Sequence, residues 1–129
     1  MAQHNELGKI GEEIAVKFLR KNDYEILETN WFFQKAEVDI IAQKGNILAV
    51  IEVKTRTSTE FGMPQDFVKP KKIQLLVKAV NEFVIANNLN VSVRFDIIAV
   101  TAPIFVNDAE STDPKGFIIE HLEDAFFHF

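Results

Sequence analysis

EVDIIAQKGNILAVIEVK, residues 37–54, holds two β-strand signals and the turn that joins them. Glu37 to Ala42 (EVDIIA) and Ile47 to Lys54 (ILAVIEVK) read as strands, and Gln43-Lys44-Gly45-Asn46 predicts a hairpin turn between them. The second run is apolar on both faces from Ile47 to Ile51, as in a strand covered by helices on each side, and is expected at the centre of a sheet.

Helical patterns flank this hairpin. Asn5 to Asn22 repeats Ile10, Ile14, Ala15, Phe18 and Leu19 at helical spacing, with Asn5 as a capping residue. Pro70 suits a first helical turn, and Ile73, Leu76, Val77, Val80, Phe83 and Val84 carry a second helix to about Asn88. Tyr24 to Thr29, Ser92 to Val100 and a short 117–120 segment read as further strands, while 55–68 and 103–116 read as loops. The order predicts an α/β fold: helices packed on a mixed sheet.

The 129 residues, 47% of them apolar, supply one core, so 1–129 is expected to be a single domain. The absence of cysteine excludes disulfides, thiolate metal sites and a cysteine nucleophile, and fits a cytoplasmic location. No apolar run approaches the roughly 20 residues of a membrane span, and the start MAQHNELGKIGEE has no signal-peptide stretch. Net charge is −5, yet residues 54–95 carry 7 basic and 3 acidic side chains, a local excess able to attract phosphate.

Strand alternation puts Glu52 and Lys54 on one face, roughly 6.6 Å apart along the strand. A two- or four-residue turn centred on Lys44-Gly45 sets Asp39 opposite Val50 and Glu37 opposite Glu52, so that Asp39 shares that face. A three-residue turn shifts the register by one and turns Asp39 to the other face. Three carboxylates in one patch repel unless a cation sits among them, and Asp39 with Glu52 suits Mg²⁺ or Mn²⁺, which completes its shell with water and phosphate oxygens. Lys54 is then placed to orient a water or to offset phosphate charge. Helix phase sets Glu12 at the edge of the apolar stripe and Glu13 toward solvent. The bland alternative for Glu52 and Lys54 is a surface ion pair at a strand end.

Asp39, followed by Glu52-Val53-Lys54 at the end of an apolar strand and preceded by Gly11-Glu12 on a helix, resembles the PD-(D/E)xK nuclease superfamily. The nearer likeness is to the YraN family of small bacterial proteins, which are similar to archaeal Holliday junction resolvases. It rests on Gly8, Gly11-Glu12, Asn30, EVDIIA at 37–42, IEVKTR at 51–56, Phe61-Gly62, Pro64, Lys72, RFDIIAV at 94–100, His121 and Ala125-Phe126. Ala36 stands where that family usually has Gly, and Val38 where the superfamily has Pro; neither removes a chemical group.

The resemblance implies a restriction-endonuclease-like three-layer α/β/α fold with a central mixed β-sheet. It also implies a metal held by Asp39, Glu52 and the Val53 carbonyl, with Lys54 catalytic and Glu12 as the helix-borne acid. Arg56, Lys69, Lys71 and Lys72 are candidate phosphate contacts near the exit of the active strand. The expected substrate is DNA, branched or otherwise non-duplex, and a homodimer is expected by analogy with resolvases. Two other functions fit the same residues: a nucleic-acid-binding module without turnover, and a protein-interaction role for the acidic segment 108–124. Trp31-Phe32-Phe33 suits core and hairpin packing more than base stacking. Asp96 suits a structural hydrogen bond, and His4, His121 and His128 lack metal-ligand spacing.

Overall fold

A computed structural model describes residues 6–57, 70–102 and 116–125. Asn5, residues 58–69 (including Phe61, Gly62, Pro64 and Lys69), residues 103–115, Phe126, His4 and His128 lie outside the described residues.

The elements are α1 (Glu6–Lys21), β1 (Glu25–Phe33), β2 (Ala36–Lys44), β3 (Ile47–Thr57), α2 (Pro70–Ala86), β4 (Ser92–Ala102) and β5 (Ile118–Leu122). The five strands form one sheet in the order β1-β2-β3-β4-β5, so β3 is central, as its double-sided apolarity requires. Among the described residues only the β3–β4 pair is parallel, and α2 lies between those two strands in the chain. A parallel pair needs such a crossover.

The two helices cover opposite faces. Ile14, Ala15 and Leu19 of α1 pack with Ile40, Ala42, Ala49, Ile51, Ile98 and Val100. On the other face Leu76, Val80 and Phe83 of α2 pack with Val38, Ile41, Leu48, Val50 and Ile97. The alternation of Leu48, Ala49, Val50 and Ile51 between these clusters makes β3 the shared middle of a three-layer α/β/α arrangement, compatible with the restriction-endonuclease-like fold.

Both helices stop where a side chain takes a left-handed backbone. Asp23 (φ 71°) follows α1, whose Leu19 carbonyl accepts from Tyr24 N–H, and Asn88 (φ 53°) follows α2, whose Val84 carbonyl accepts from Leu89 N–H.

Three expectations are corrected. The turn is the two residues Gly45-Asn46, with Gly45 at φ 60°, and Lys44 pairs with Ile47. Glycine at the first central position is what a tight type II′ hairpin favours. Val50 therefore faces Ile41 rather than Asp39. A displacement of two residues keeps the paired residues 40–44 and 47–51 on their expected faces, because the strand period is two. Second, residues 55–57, expected in a loop, are strand, held by parallel pairing of Thr55 with Val100 and Thr57 with Ala102. Third, β1 runs on to Phe33, and β5 spans Ile118–Leu122 rather than 117–120.

Candidate functional site

The β2–β3 ladder ends at Ile40↔Ile51. One step further the same register sets Asp39 beside Glu52, and Val53 N–H donates to the Asp39 side chain, Oδ2, at 2.8 Å. A carboxylate thus takes the place of a strand carbonyl as the ladder opens. Strict alternation would put Val38 and Ile40 on one face, yet Val38 packs toward α2 and Ile40 toward α1. The alternation of β2 is broken at Asp39, and facing it on β1 Asn30 adopts φ 49°.

Glu52 is 2% exposed, and Lys72 from α2 reaches down to it, Nζ to Oε1 at 2.8 Å. Its other oxygen, Oε2, is buried with no hydrogen-bond partner. Leaving such an atom unsatisfied is costly, and the charges around it explain how the group copes. Burial, then the neighbouring Asp39 charge, push the Glu52 carboxyl up to about 7, against the opposing pull of Lys72 and Lys54. Asp39 is raised as well, chiefly by burial and also by Glu37, with the Val53 N–H, Lys72 and Lys54 opposing.

Both ends of the Lys72–Glu52 pair are raised. Burial works to discharge Lys72, but Glu52, Asp39 and Glu37 outweigh it and hold the ammonium charged. At Glu52 the single lysine contact does not outweigh desolvation and a second carboxylate. The pair is short of positive charge, which is the condition a divalent cation relieves. Among the described residues no cluster of three or more His, Cys, Asp or Glu is placed to hold a metal. The donor set is two carboxylates, which fits a cation such as Mg²⁺ that keeps waters and takes substrate oxygens.

Lys54 lies one strand step past Glu52 on the same face and lines a cavity of about 540 Å³ with Glu37, Lys35, Lys71 and Lys72. The charge of Lys54 acts on both Asp39 and Glu52, and that of Glu37 on Asp39, so the structure brings these groups together. Glu12 is half-buried and Glu13 exposed, the order helix phase requires, but Glu12 lines a separate groove between α1 and β1. Glu37 lines both. The approach of α1 to β3 depends on Gly11: a Cβ there would fall 1.9 Å from Thr55 Oγ1 and 2.9 Å from Thr55 Cβ. Glu12 follows directly in the chain, so that close crossing brings it toward the C-terminal half of β3.

Of the basic residues expected to meet phosphate, Lys71 is exposed at the cavity rim and Arg56 is half-buried on β3. Lys72 is instead engaged with Glu52, a role not read from the sequence, because only the packing of α2 on the sheet creates it.

A second polar group lies away from this site. Asp96, fully buried, accepts from Arg94 Nε at 2.9 Å and Asp124 N–H at 3.0 Å, with His121 Nε2 2.8 Å from its Oδ2. Arg94 also donates to the Tyr24 hydroxyl at 2.6 Å. Burial raises the Asp96 carboxyl, but hydrogen bonds from His121, Arg94 and Asp124 outweigh it and hold it below its ordinary range. This is the structural hydrogen bonding expected of Asp96; it ties β4 and β5 to the start of β1.

The aromatic triplet divides. Trp31 packs edge-on against Phe83 of α2, centroids 5.3 Å apart, and stacks with Phe33 at 6.1 Å, while Phe32 is 64% exposed.

Residues 11–100 match the family described as "Uncharacterised protein family UPF0102". A UPF0102 protein of Flavobacterium psychrophilum is 64% identical over 129 residues, covering 100% of both chains. One of Christiangramia forsetii is 61% identical over the same span, and one of Bacteroides fragilis is 41% identical over 127 residues, 98% of this chain and 97% of the relative.

Proposed function

The chain belongs to the UPF0102 family, and we propose that it is a metal-dependent DNA endonuclease, hydrolysing phosphodiester bonds in branched or otherwise non-duplex DNA. The observation that carries this reading is the buried Glu52 with an unpartnered Oε2 beside Asp39, at the working end of the central strand.

Asp39, Glu52 and the Val53 carbonyl are the donors for Mg²⁺ or Mn²⁺. A divalent cation held there supplies charge to offset the phosphate and acidifies water for attack. Val53 N–H fixes the Asp39 carboxylate. Lys54 orients the attacking water and offsets charge as the phosphorus–oxygen bond breaks. Lys71 and Arg56, with Lys69, position the backbone, and Glu12 acts from the α1 side. A homodimer follows from the two strands of a branched substrate. No described helix is long and apolar enough to cross a membrane.

A second reading, a DNA-binding module without turnover, is favoured by one observation. Lys72 already neutralises one oxygen of Glu52, as a lysine can where a cation no longer binds.

Purified protein and Asp39→Ala are incubated with labelled linear, single-stranded, flapped and four-way DNA in Mg²⁺, Mn²⁺ or EDTA. Cleavage that needs metal and vanishes in the variant supports the endonuclease. DNA bound but uncut moves the binding module ahead, and DNA neither bound nor cut overturns both.

A further inference from the structure

We propose that the groove between α1 and β1 binds an unpaired nucleotide, with Phe32 as the stacking platform beside the scissile phosphate. This rests on the endonuclease reading for the word scissile, and on the groove alone for the rest.

Phe32 pairs across the β1–β2 ladder with Glu37, so their side chains stand next to each other on one face. Glu37 lines both this groove and the cavity holding Lys54 and Lys72, and its charge acts on Asp39. A strand that reaches the carboxylate pair from the α1 side therefore passes Phe32 first. At 64% exposed in the outer strand of a sheet, Phe32 adds nothing to the core that Trp31 and Phe33 fill from the opposite face. An exposed ring in a groove of about 640 Å³ is a surface on which a base can lie flat.

The facing wall carries three cations that backbone phosphates can meet. Lys9, Lys17 and Arg20 are all exposed and line the groove. Lys9 and Arg20 are nearly in line on the helix and roughly 16 Å apart along its axis, a length that follows a short stretch of backbone. Three carboxylates, Glu12, Glu13 and Glu37, also line it, and the charge of Glu37 acts on Asp39. Paired bases present only their edges, so a single ring on a wall favours a base already out of the stack.

Fluorescence anisotropy in EDTA, at low salt, measures binding of labelled oligo(dT) and of a matched duplex to wild type, Phe32→Ala and Phe32→Trp. Phe32→Ala is expected to weaken oligo(dT) binding about tenfold while duplex affinity changes less than twofold. Phe32→Trp restores affinity, and its added indole is quenched by bound oligonucleotide. Equal oligo(dT) affinity in wild type and Phe32→Ala, equal losses on both DNAs, or no binding by wild type overturns the proposal. Because no cleavage is read, loss of single-strand affinity in a protein that cuts nothing sustains this site while the endonuclease reading falls; cleavage by wild type with an unchanged Phe32→Ala does the reverse.

Discussion

Replacing Glu52 by Gln should stabilise the metal-free protein at neutral and alkaline pH. The folded state keeps the Glu52 proton up to about pH 7, whereas a free glutamate releases it near 4.5. Between those values the folded state binds the extra proton, so its stability falls as pH rises. The contribution is fully present below 4.5 and lost through about 7. At roughly 1.4 kcal/mol per pH unit the gap corresponds to about 3 kcal/mol, shared with Asp39 because the two carboxylates titrate against each other. Glutamine carries no charge at any pH and nearly the same shape. Urea unfolding in EDTA at steps from pH 5 to 8 should therefore give wild type and Glu52→Gln similar midpoints at pH 5 and a variant more stable by about 2–3 kcal/mol at pH 8. Added Mg²⁺ should close the gap by stabilising wild type alone. A variant less stable than wild type at pH 8, or one with the same slope, would mean that Lys72 satisfies the carboxylate after all.

Gly11→Ala should destabilise by roughly 1–3 kcal/mol in urea unfolding, since Thr55 Cβ as well as its hydroxyl stands in the way and rotating the side chain does not clear the contact. A loss under 0.5 kcal/mol would mean that α1 lifts off β3 at little cost. Asp96→Ala leaves Arg94 and His121 facing a buried gap and should cost roughly 3–5 kcal/mol, with Asp96→Asn between it and wild type. Because the Asp96 carboxyl is held low, its contribution is present above about 3.8 and lost as pH falls further. Thermal melts at pH 3 and 7 would refute this if Asp96→Ala lost as much stability at the lower pH as at the higher.

The fold was legible because each strand's burial pattern is written in its own residues. Ile47 to Ile51 needs cover on both faces, and a chain with a helix before and after it supplies that cover. The turn was harder. Lys44-Gly45 and Gly45-Asn46 both place glycine in a two-residue turn, but only the second puts it at the first central position, where a type II′ hairpin favours it, and the φ of 60° at Gly45 agrees. The two registers differ by two residues, so residues 40–44 and 47–51 keep the same faces in both. A register off by one would have sent Asp39 away from Glu52. The division of Trp31-Phe32-Phe33 was legible only in part: alternation separates Phe32 from its neighbours, but which side carries α2 is not in the triplet.

Lys72 marks the limit of that legibility and the chief ambiguity of the site. On α2 it is one of several lysines near a helix start, and nothing local distinguishes it from Lys71 beside it. The distinction appears once Leu76 and Val80 are buried against Leu48 and Val50, because the helix is then fixed with Lys72 directed at Glu52. The contact takes one oxygen and leaves the other unsatisfied, while Asp39 holds the deficit of positive charge in place. Had the site been built only for stability, a neutral or apolar residue at 52 would have served better, as buried ion pairs seldom gain over such replacements. A carboxylate kept there at a cost, one oxygen still open and a lysine one strand step away, is more readily understood as a place for charge to arrive than as part of the core.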